Sequence, residues 1–355
     1  MKGNEVIAHA AIRYGCDGYF GYPITPQSEV METLMEEKPW ETTGMVVLQA
    51  ESEVASANMV YGAASTGKRV MTSSSSPGIS LMSETLSYMA GAELPCLIVN
   101  CQRGGPGLGT IQPSQGDYFQ ACKGGAHGDF HLIVLAPNSV QEMHDHVALG
   151  FDLAFKYRNP ALILADGAIG QMMEKVVLAP QRPRKTNEEI AEECKEWAAC
   201  GKGNRKERNI ITSLELQSEV MEKINQRLQA KYKALEENEV RYEAINCDDA
   251  DYVIVAFGSS ARICSATVEL ARAEGLKVGL LRPLYPFPSK VIADLAKRGV
   301  KGFLSAELNA GQMVEDVRLA VNGAAPVEHY GRQGGMLFAP DEVLVALKEK
   351  LINKK

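Results

Sequence analysis

Apolar and polar positions alternate along the first half of the chain with two periods, which predict helices and strands in turn. Stretches with a period near 3.6 residues indicate amphipathic helices, and short runs rich in valine, isoleucine and leucine indicate buried strands. The predicted helices cover residues 4–14, 27–37, 51–66, 79–90 and 140–158. The predicted strands cover residues 18–22, 45–49, 69–73, 96–101, 131–137 and 161–166. Such alternation is typical of a parallel sheet covered on both faces, so residues 1–180 are predicted to form a doubly wound α/β domain.

The pattern changes between residues 181 and 245, where the chain is highly charged and has few β-branched residues. Helical spacing of apolar residues predicts a helical linker that packs on one face. These apolar residues are Val220, Ile224, Leu228 and Leu235. The alternation then resumes, with strands predicted over residues 252–257, 278–281 and 302–306. Residues 246–355 are therefore predicted to form a second, smaller α/β domain.

Composition and charge narrow the class of protein. The 355 residues are 45% hydrophobic and 23% charged, an ordinary globular composition that is long enough for two domains. A net charge of −7 and a pI of about 5.6 argue against nucleic acid or an anionic membrane as the main partner. The first residues lack the uninterrupted apolar core of a signal peptide, and no apolar run approaches the length of a membrane span. We therefore expect a cytoplasmic protein.

The eight cysteines raise the question of disulfides or metal sites. None of them belongs to a C-x-x-C pair, although zinc ribbons and ferredoxin-type clusters need closely spaced thiolates. We therefore expect buried, reduced thiols, with no metal ligands and no iron–sulfur cluster on this chain.

Two glycine-rich stretches resemble phosphate-binding sequences. The stretch "GAASTGKR" matches G-x-x-x-x-G-K, but Arg69 replaces the hydroxyl residue that would bind Mg²⁺, and Gly62 falls inside a predicted helix. No nucleotide-binding role is expected for it. The stretch "GGPGLG", residues 104–109, follows a predicted strand and should lie where open α/β sheets bind ligands. It is consistent with a phosphate nest, with a flexible lid and with a purely structural loop.

Four further segments follow one another in a distinctive order. In "GYPITP", two prolines restrict the backbone around Thr25 and should present its hydroxyl rigidly. In "LQAESEV", Glu53 stands at the start of a helix of small residues. The segment "TSSSSPG" follows the next strand, and Arg103 follows the strand after that. Taken alone, Glu53 is also consistent with an acid that complements a helix dipole, and Arg103 with an ion pair at the edge of the core.

Together these segments resemble the α subunit of the 2-oxoacid:ferredoxin oxidoreductases. The resemblance extends through "RPLYPFP" and "ELNAGQ" and covers essentially the whole chain. These are thiamine-diphosphate enzymes that oxidatively decarboxylate 2-oxoacids to acyl-CoA. The short subunit of the branched-chain (2-oxoisovalerate) members is the most similar, followed by the 2-oxoglutarate type, and pyruvate is a further alternative substrate. The resemblance implies that residues 1–180 hold the aminopyrimidine half of the cofactor, and that residues 246–355 form a transketolase C-terminal-like domain.

The resemblance also implies roles for individual residues. Glu53, rather than Glu51, hydrogen-bonds the pyrimidine ring nitrogen and helps the cofactor to become a carbon nucleophile. Thr25 and Arg103 face the carboxylate and carbonyl of the substrate, a task that suits a planar and permanently charged guanidinium. Glu53, Thr25 and Arg103 are thus the predicted catalytic residues. The other residues expected at the cofactor are Tyr22 and Pro23, and a loop formed by Ser75, Ser76, Pro77 and Gly78.

The chain lacks the G-D-G segment and following asparagine with which thiamine enzymes hold Mg²⁺ and the diphosphate. The resemblance implies that a β subunit supplies this half, and that iron–sulfur clusters lie on the β subunit and on a small ferredoxin-like subunit. A γ subunit and ferredoxin are further expected partners, and CoA is the expected co-substrate. Two alternatives stay open, namely one half of a non-redox thiamine decarboxylase or synthase, and a non-catalytic structural subunit of such a complex.

Overall fold

The computed structural model describes residues 1–353, and its first sheet has six strands. These are β1 (Gly18–Gly21), β2 (Val46–Gln49), β3 (Val70–Ser74), β4 (Leu97–Gln102), β5 (Ile133–Leu135) and β6 (Ala161–Asp166). They lie in the order β2-β1-β3-β4-β6-β5, and every neighbouring pair is parallel. The α/β class with a doubly wound parallel sheet, predicted from the sequence, is confirmed.

Burial explains the apolar character of the central strands. Every residue of β3, β4 and β6 is buried, because helices cover both faces of the sheet there. The edge strand β2 differs, since three of its four residues are exposed, Val46 and Leu48 among them. The first sheet therefore has a covered centre and one open, partly apolar edge.

Eight helices accompany the first sheet. They are α1 (Gly3–Arg13), α2 (Ser28–Glu37), α3 (Pro39–Thr42), α4 (Glu53–Ala64), α5 (Ser76–Gly91), α6 (Tyr118–Cys122), α7 (Val140–Tyr157) and α8 (Gly167–Gln171). Helix α1 packs against α2 and α7, whereas α4 packs against α5. The sequence pattern does not predict α3, α6 and α8, because four or five residues are too few to show a helical period.

Two helices near the edge of the sheet begin at other residues than predicted. Helix α4 begins at Glu53 instead of residue 51, because Ser52 caps it with a hydroxyl that accepts a backbone N–H at 3.1 Å. Helix α5 begins at Ser76, three residues before the predicted start. The segment 75–78, predicted to be a loop, therefore forms the N-cap and first turn of a helix.

The charged stretch after the first sheet contains two helices, α9 (Asn187–Glu193) and α10 (Ser218–Asn238). Helix α10 packs on one face, where Leu228, Tyr232 and Leu235 are buried, but Val220, predicted to lie on this face, is exposed. Its 21 residues make it long, but it is strongly charged. Within the part of the chain that the structure describes, no helix combines the length and the apolar content that crossing a membrane requires.

The second sheet has five strands. These are β7 (Arg241–Ile245), β8 (Tyr252–Val255), β9 (Val278–Tyr285), β10 (Gly302–Glu307) and β11 (Val327–Gly331). The helices around it are α11 (Gly258–Ala273), α12 (Ser289–Lys297), α13 (Met313–Val321) and α14 (Pro340–Leu347), which continues into a π-helical turn, Lys348–Ile352. The strand order is β11-β10-β8-β9-β7, and only β7 runs antiparallel to its neighbour. Strands β7 and β11 add to the three predicted strands; neither contains a fully buried residue, so neither shows a buried apolar run.

Asp166, the last residue of β6, joins the two sheets. Its Oδ2 accepts hydrogen bonds from the backbone N–H and the hydroxyl of Ser259, in the first turn of α11, at 2.9 and 2.7 Å. Its Oδ1 accepts the backbone N–H groups of Ala168 and Ile169 at 3.1 and 3.2 Å. Because Asp166 is buried, these bonds replace water completely and hold α11 against the carboxyl edge of the first sheet.

We expect Asp166→Asn to lower the free energy of unfolding by about 1.5–3 kcal/mol, since an amide nitrogen cannot accept the bonds that a charged oxygen accepts. Urea unfolding of the purified chain measures the change. Asp248→Asn, at an exposed position, is the matched control and should change the stability by less than about 0.5 kcal/mol. Equal stability of the two variants would contradict the role given to Asp166.

Candidate active site

The parallel sheet brings four connections to one edge. They follow β1, β2, β3 and β4, and they carry Thr25, Glu53, Ser75 and Arg103. Parallel strands all end at the same edge, and these four strands are neighbours in the sheet. Residues that are far apart in the sequence therefore lie together, including Thr25 and Arg103, which are 78 positions apart.

Arg103 lies across the turn that contains Thr25. Its Nη1 donates to the main-chain oxygen of Thr25 at 2.8 Å, and its Nη2 donates to the main-chain oxygen of Leu108 at 3.3 Å. The side chain of Thr25 is exposed, and the peptide bond between Thr25 and Pro26 is cis. The two residues that the sequence analysis assigns to the substrate are therefore in direct contact.

The guanidinium of Arg103 is buried without a counter-ion. The residue is 7% exposed, and its Nε–H has no acceptor. No carboxylate within residues 1–353 forms an ion pair with it. A buried charge without a partner is strongly unfavourable, and proteins normally neutralise it with an opposite charge. The arrangement therefore favours an anionic ligand over the alternative of an ion pair at the edge of the core.

Glu53 is the second charged residue of the site. It is 6% exposed, whereas Glu51 is exposed, and its carboxylate has neither a donor nor an ion-pair partner among the described residues. It lies against Gly78, where a Cβ would come within 2.9 Å of Glu53 Oε1 and 2.0 Å of Ser74 Oγ. The hydroxyl of Ser74 is also buried without a partner. Gly78 is therefore closely packed against Ser74 and Glu53, and the Glu53 carboxylate, which has no donor within residues 1–353, fits a ligand that brings its own N–H group.

The hydroxyl groups at the start of α5 are already engaged within the protein. Ser75 is completely buried and donates to the main-chain oxygen of Cys101 at 2.7 Å. Ser76 Oγ accepts the backbone N–H of Arg103 at 3.0 Å and donates to Asp117 Oδ2 at 2.6 Å. Within the first turn of α5, Ser76 therefore contacts Arg103, and Gly78 contacts Glu53.

Three other residues predicted to lie at the cofactor form no side-chain hydrogen bond within residues 1–353. Tyr22 follows β1 and is half-buried, and its main-chain oxygen accepts the side-chain amide of Gln27 at 3.4 Å. Pro23 is exposed, and Pro77 is half-buried in the first turn of α5. Contact of these residues with a cofactor stays a prediction.

The glycine-rich residues 104–109 form a tight loop next to the arginine. Gly109 has a φ of +58°, and a Cβ there would come within 1.9 Å of the Gly104 oxygen, so only glycine fits. Gly104 packs against the loop after β11, where a Cβ would come within 2.9 Å of the carbonyl carbon of Gly334. Leu108 extends into solvent at the tip. The loop that follows β11 of the second sheet thus packs against residues 104–109.

Asn100 and Asp117 are two polar residues of this region that were not predicted from the sequence. Asn100 Nδ2 donates to Asp117 Oδ2 at 2.9 Å, the same oxygen that Ser76 approaches. Burial raises the pKa of Asp117, and the hydrogen bonds from Ser76 and Asn100 act in the opposite direction. An asparagine inside the apolar strand "LIVNCQ" was the one available signal, because Asp117 stands in a loop without a pattern.

The stretch "GAASTGKR" does not have the geometry of a phosphate-binding loop. Gly62 lies inside α4 as predicted, on a face where a Cβ would meet nothing within 4 Å. Arg69 donates through Nη1 to the main-chain oxygen of Tyr14 at 3.1 Å. These residues therefore belong to a helix and to the following turn.

All eight cysteines are free. Six of them are buried as expected, whereas Cys122 and Cys200 are only half-buried, so the expectation of burial is wrong for these two. Among the described residues, no three His, Cys, Asp or Glu side chains are grouped in a way that would hold a metal ion.

Comparison with known proteins identifies the class that this fold and site define. Residues 9–243 match the family model described as pyruvate flavodoxin/ferredoxin oxidoreductase, thiamine-diphosphate-binding. Residues 250–343 match pyruvate:ferredoxin oxidoreductase core domain II. The chain therefore belongs to the pyruvate flavodoxin/ferredoxin oxidoreductase family, and the resemblance found in its motifs is confirmed.

Individual relatives agree with this family. Ketoisovalerate oxidoreductase subunit VorB of Methanothermobacter thermautotrophicus is 49% identical over 354 residues, which cover 98% of this chain and 97% of the relative. A solved 2-oxoglutarate:ferredoxin oxidoreductase from Magnetococcus marinus, with 2-oxoglutarate, coenzyme A and succinyl-CoA bound, has a TM-score of 0.82 at 29% identity. This match covers 99% of this chain and 64% of that chain. A split-gene transketolase shares the fold alone, with a TM-score of 0.63 at 13% identity over 100% of this chain and 99% of that chain.

We expect Gly78→Ala to lower the free energy of unfolding by about 1–3 kcal/mol, because the added methyl group overpacks the space between Glu53 and Ser74. Gly62→Ala is the matched control, since its methyl group meets open space and removes a flexible residue from a helix. It should raise the stability by about 0.5–1 kcal/mol. Urea unfolding measures both variants, and a stabilised Gly78→Ala would show that the space is not closely fitted.

Proposed function

We propose that this chain is the catalytic α subunit of a 2-oxoacid:ferredoxin oxidoreductase. The reaction converts a 2-oxoacid, CoA and oxidised ferredoxin into acyl-CoA, CO₂ and reduced ferredoxin. The observation that carries the proposal is the buried guanidinium of Arg103, which has no counter-ion and lies in contact with Thr25. A small 2-oxoacid brings the missing negative charge to this position.

Arg103 binds the carboxylate of the substrate. Two of its N–H groups are occupied by main-chain oxygens, so an anion can form charge-assisted hydrogen bonds with the second N–H groups of Nη1 and Nη2. The side chain of Thr25 is exposed next to this group and supplies a hydroxyl donor for the carbonyl oxygen. A rigid turn holds that hydroxyl, so little conformational entropy is lost when the substrate binds.

Glu53 fits the aminopyrimidine ring of thiamine diphosphate. The ring offers an N–H group at its edge when its nitrogen is protonated, which suits a carboxylate that has no donor within residues 1–353. When bound, the cofactor supplies the carbon nucleophile that the protein itself lacks. Glu53 holds a proton at the pyrimidine nitrogen, which is its role in the reaction. Tyr22, Pro23, Ser75 and Pro77 surround this position in the proposal, whereas the hydroxyl of Ser76 is engaged by Asp117 and Arg103.

The substrate is 2-oxoisovalerate or another branched-chain 2-oxoacid. The support is the identity to the ketoisovalerate subunit, 49%, against 29% to the solved enzyme that has 2-oxoglutarate bound. A branched acid carries one negative charge, as pyruvate does, and the one buried arginine of the site matches that charge better than the two charges of 2-oxoglutarate. 2-Oxoglutarate and pyruvate are the alternative substrates.

Partner chains complete the active site. A β subunit supplies the diphosphate and Mg²⁺ half and an iron–sulfur cluster, and a γ subunit, a small iron–sulfur subunit and ferredoxin complete the cytoplasmic assembly. The support is an uncovered apolar surface around the helix that begins at Glu53. Strand β2 and helices α4 and α5 expose large apolar side chains there, namely Val46, Leu48, Val54, Met59 and Leu81. Exposed apolar residues in this number mark a surface that another chain covers.

The chain is divided into a pyrimidine-binding domain, residues 1–180, a linker, residues 181–245, and a transketolase C-terminal-like domain, residues 246–355. The last strand of the linker, β7, belongs to the second sheet, where it pairs antiparallel with β9. The second domain contacts the carboxyl edge of the first sheet at two places. Ser259 donates a hydrogen bond to Asp166, and the loop after β11 packs against Gly104.

An anaerobic assay of the co-expressed subunits tests the proposed function. With CoA and a viologen dye, we expect faster dye reduction from 2-oxoisovalerate than from 2-oxoglutarate or pyruvate. Glu53→Gln should leave the assembly intact and abolish turnover, because an amide cannot hold the proton at the cofactor. Glu51→Gln, two residues away and exposed, is the matched control and should retain activity.

Other outcomes of this assay identify the alternatives. Release of CO₂ without dye reduction would indicate a non-redox thiamine enzyme. Undiminished turnover in Glu53→Gln would indicate a non-catalytic structural subunit.

Arg103→Leu should lower kcat/KM for the 2-oxoacid by about a hundredfold or more, because two charge-assisted hydrogen bonds are lost. Binding of thiamine diphosphate should survive, since the guanidinium hydrogen-bonds the main chain of Thr25 and Leu108 and has no contact with Glu53. Arg298→Leu, at an exposed position, is the control and should behave like the unchanged protein. Loss of cofactor binding together with normal use of the 2-oxoacid would contradict the assignment of Arg103.

A further inference from the structure

Ser76, Asn100 and Asp117 form a closed ring of hydrogen bonds beside Arg103, which we call the Asp117 ring. Ser76 Oγ and Asn100 Nδ2 both donate to Asp117 Oδ2, at 2.6 and 2.9 Å. The ring closes where the backbone N–H of Ser76 donates to Asn100 Oδ1 at 3.1 Å. The three residues come from α5, from β4 and from the loop before α6, so the ring ties three separate segments together.

The Asp117 ring holds the main chain of Arg103. The N–H of Arg103 donates to Ser76 Oγ at 3.0 Å, and the carbonyl oxygen of Arg103 lies 3.3 Å from the same hydroxyl. A hydroxyl has one proton, and Asp117 at 2.6 Å is the nearer acceptor. The carboxylate therefore fixes the proton of Ser76 and turns an oxygen lone pair towards the arginine N–H.

Arg103 needs this support because it stands just beyond the end of a strand. Strand β4 ends at Gln102, and the strand-type pairing of the Arg103 main chain is limited to an isolated bridge with Pro113. Gln102 also contributes, since its Oε1 accepts the N–H of Asp117 at 3.1 Å. A two-point contact with a carboxylate depends on the position of a guanidinium at the end of a long side chain, and a shift of about 1 Å is enough to weaken such a contact.

We propose that Asp117, acting through Ser76, is a positioning residue for Arg103 and thereby for the carboxylate of the 2-oxoacid. The inference rests on the proposed function, because it assumes that Arg103 binds the substrate. It assigns the hydroxyl of Ser76 to the arginine instead of the cofactor. The negative charge of Asp117 lies beside the first turn of α5, where the dipole of a 16-residue helix stabilises it.

Asp117→Asn and Ser76→Ala test the proposal in the co-expressed complex. Each should raise KM for the 2-oxoacid about tenfold, change kcat less than threefold, and leave the affinity for thiamine diphosphate, measured by calorimetry, within twofold. Asn has the shape of Asp and keeps the segment packed, and the thermal midpoint of each variant verifies folding. Asp129→Asn, at an exposed position, is the matched control and should leave all three values unchanged.

A double-mutant cycle with Arg103→Leu separates positioning from a general structural effect. In the Arg103→Leu background, Asp117→Asn should change kcat/KM less than twofold, because no guanidinium is left to position. Full multiplication of the two effects, or loss of cofactor binding in Asp117→Asn, would overturn the positioning role.

The single variants distinguish failure of this inference from failure of the proposed function. A damaged Arg103→Leu together with unaffected Asp117→Asn and Ser76→Ala overturns this inference alone. An undamaged Arg103→Leu overturns the proposed substrate contact, and this inference with it.

Discussion

All strands of the first sheet run in one direction, and this constraint determines where the chemistry of the molecule lies. The segments that follow β1, β2, β3 and β4 must meet at one edge, whatever their separation in the sequence. If one of these strands ran in the opposite direction, the functional residue that follows it would lie at the opposite edge of the sheet, a full strand length away. The same edge receives the first turn of α11 through Asp166, so the second sheet is attached where the site lies. Fold and site therefore follow from a single rule of strand direction.

The site contains two opposite charges that do not neutralise each other. Glu53 and Arg103 do not form an ion pair, and the first turn of α5 contacts the Glu53 side chain through Gly78 and the main chain of Arg103 through Ser76. Each charge is largely buried and lacks an oppositely charged partner within residues 1–353, which is unfavourable for the free chain. Two different ligands, one with a proton donor and one with a carboxylate, would relieve the two charges separately. Such unsatisfied groups are tolerated where function requires them.

Much of the fold was predictable because the signals were local. Buried strands and amphipathic helices have periods that a short window shows, and the order of the motifs singled out Glu53 and Arg103. The start of α5 was missed because "SSSSPG" has the composition of a loop, although proline suits the first turn of a helix. Strand β7 was missed because its place in the sheet depends on pairing with β9 and not on its own charged sequence. Asn100 and Asp117 meet across 17 positions, and no local pattern predicts such a contact.

The contact between the glycine-rich loop and the second sheet has a consequence for how such a site diversifies. Gly104 lies against the main chain of Gly334, at 2.9 Å from a Cβ built on Gly104, and a Cβ at Gly335 would come within 2.4 Å of the Gln112 Cβ, so neither glycine leaves room for a side chain. Point substitutions on either side have no room to repack there. The geometry of this contact between the two loops is therefore fixed. Sequence variation here is confined to side chains that do not contact this backbone, such as the exposed Leu108. Any other variation requires that both loops change together.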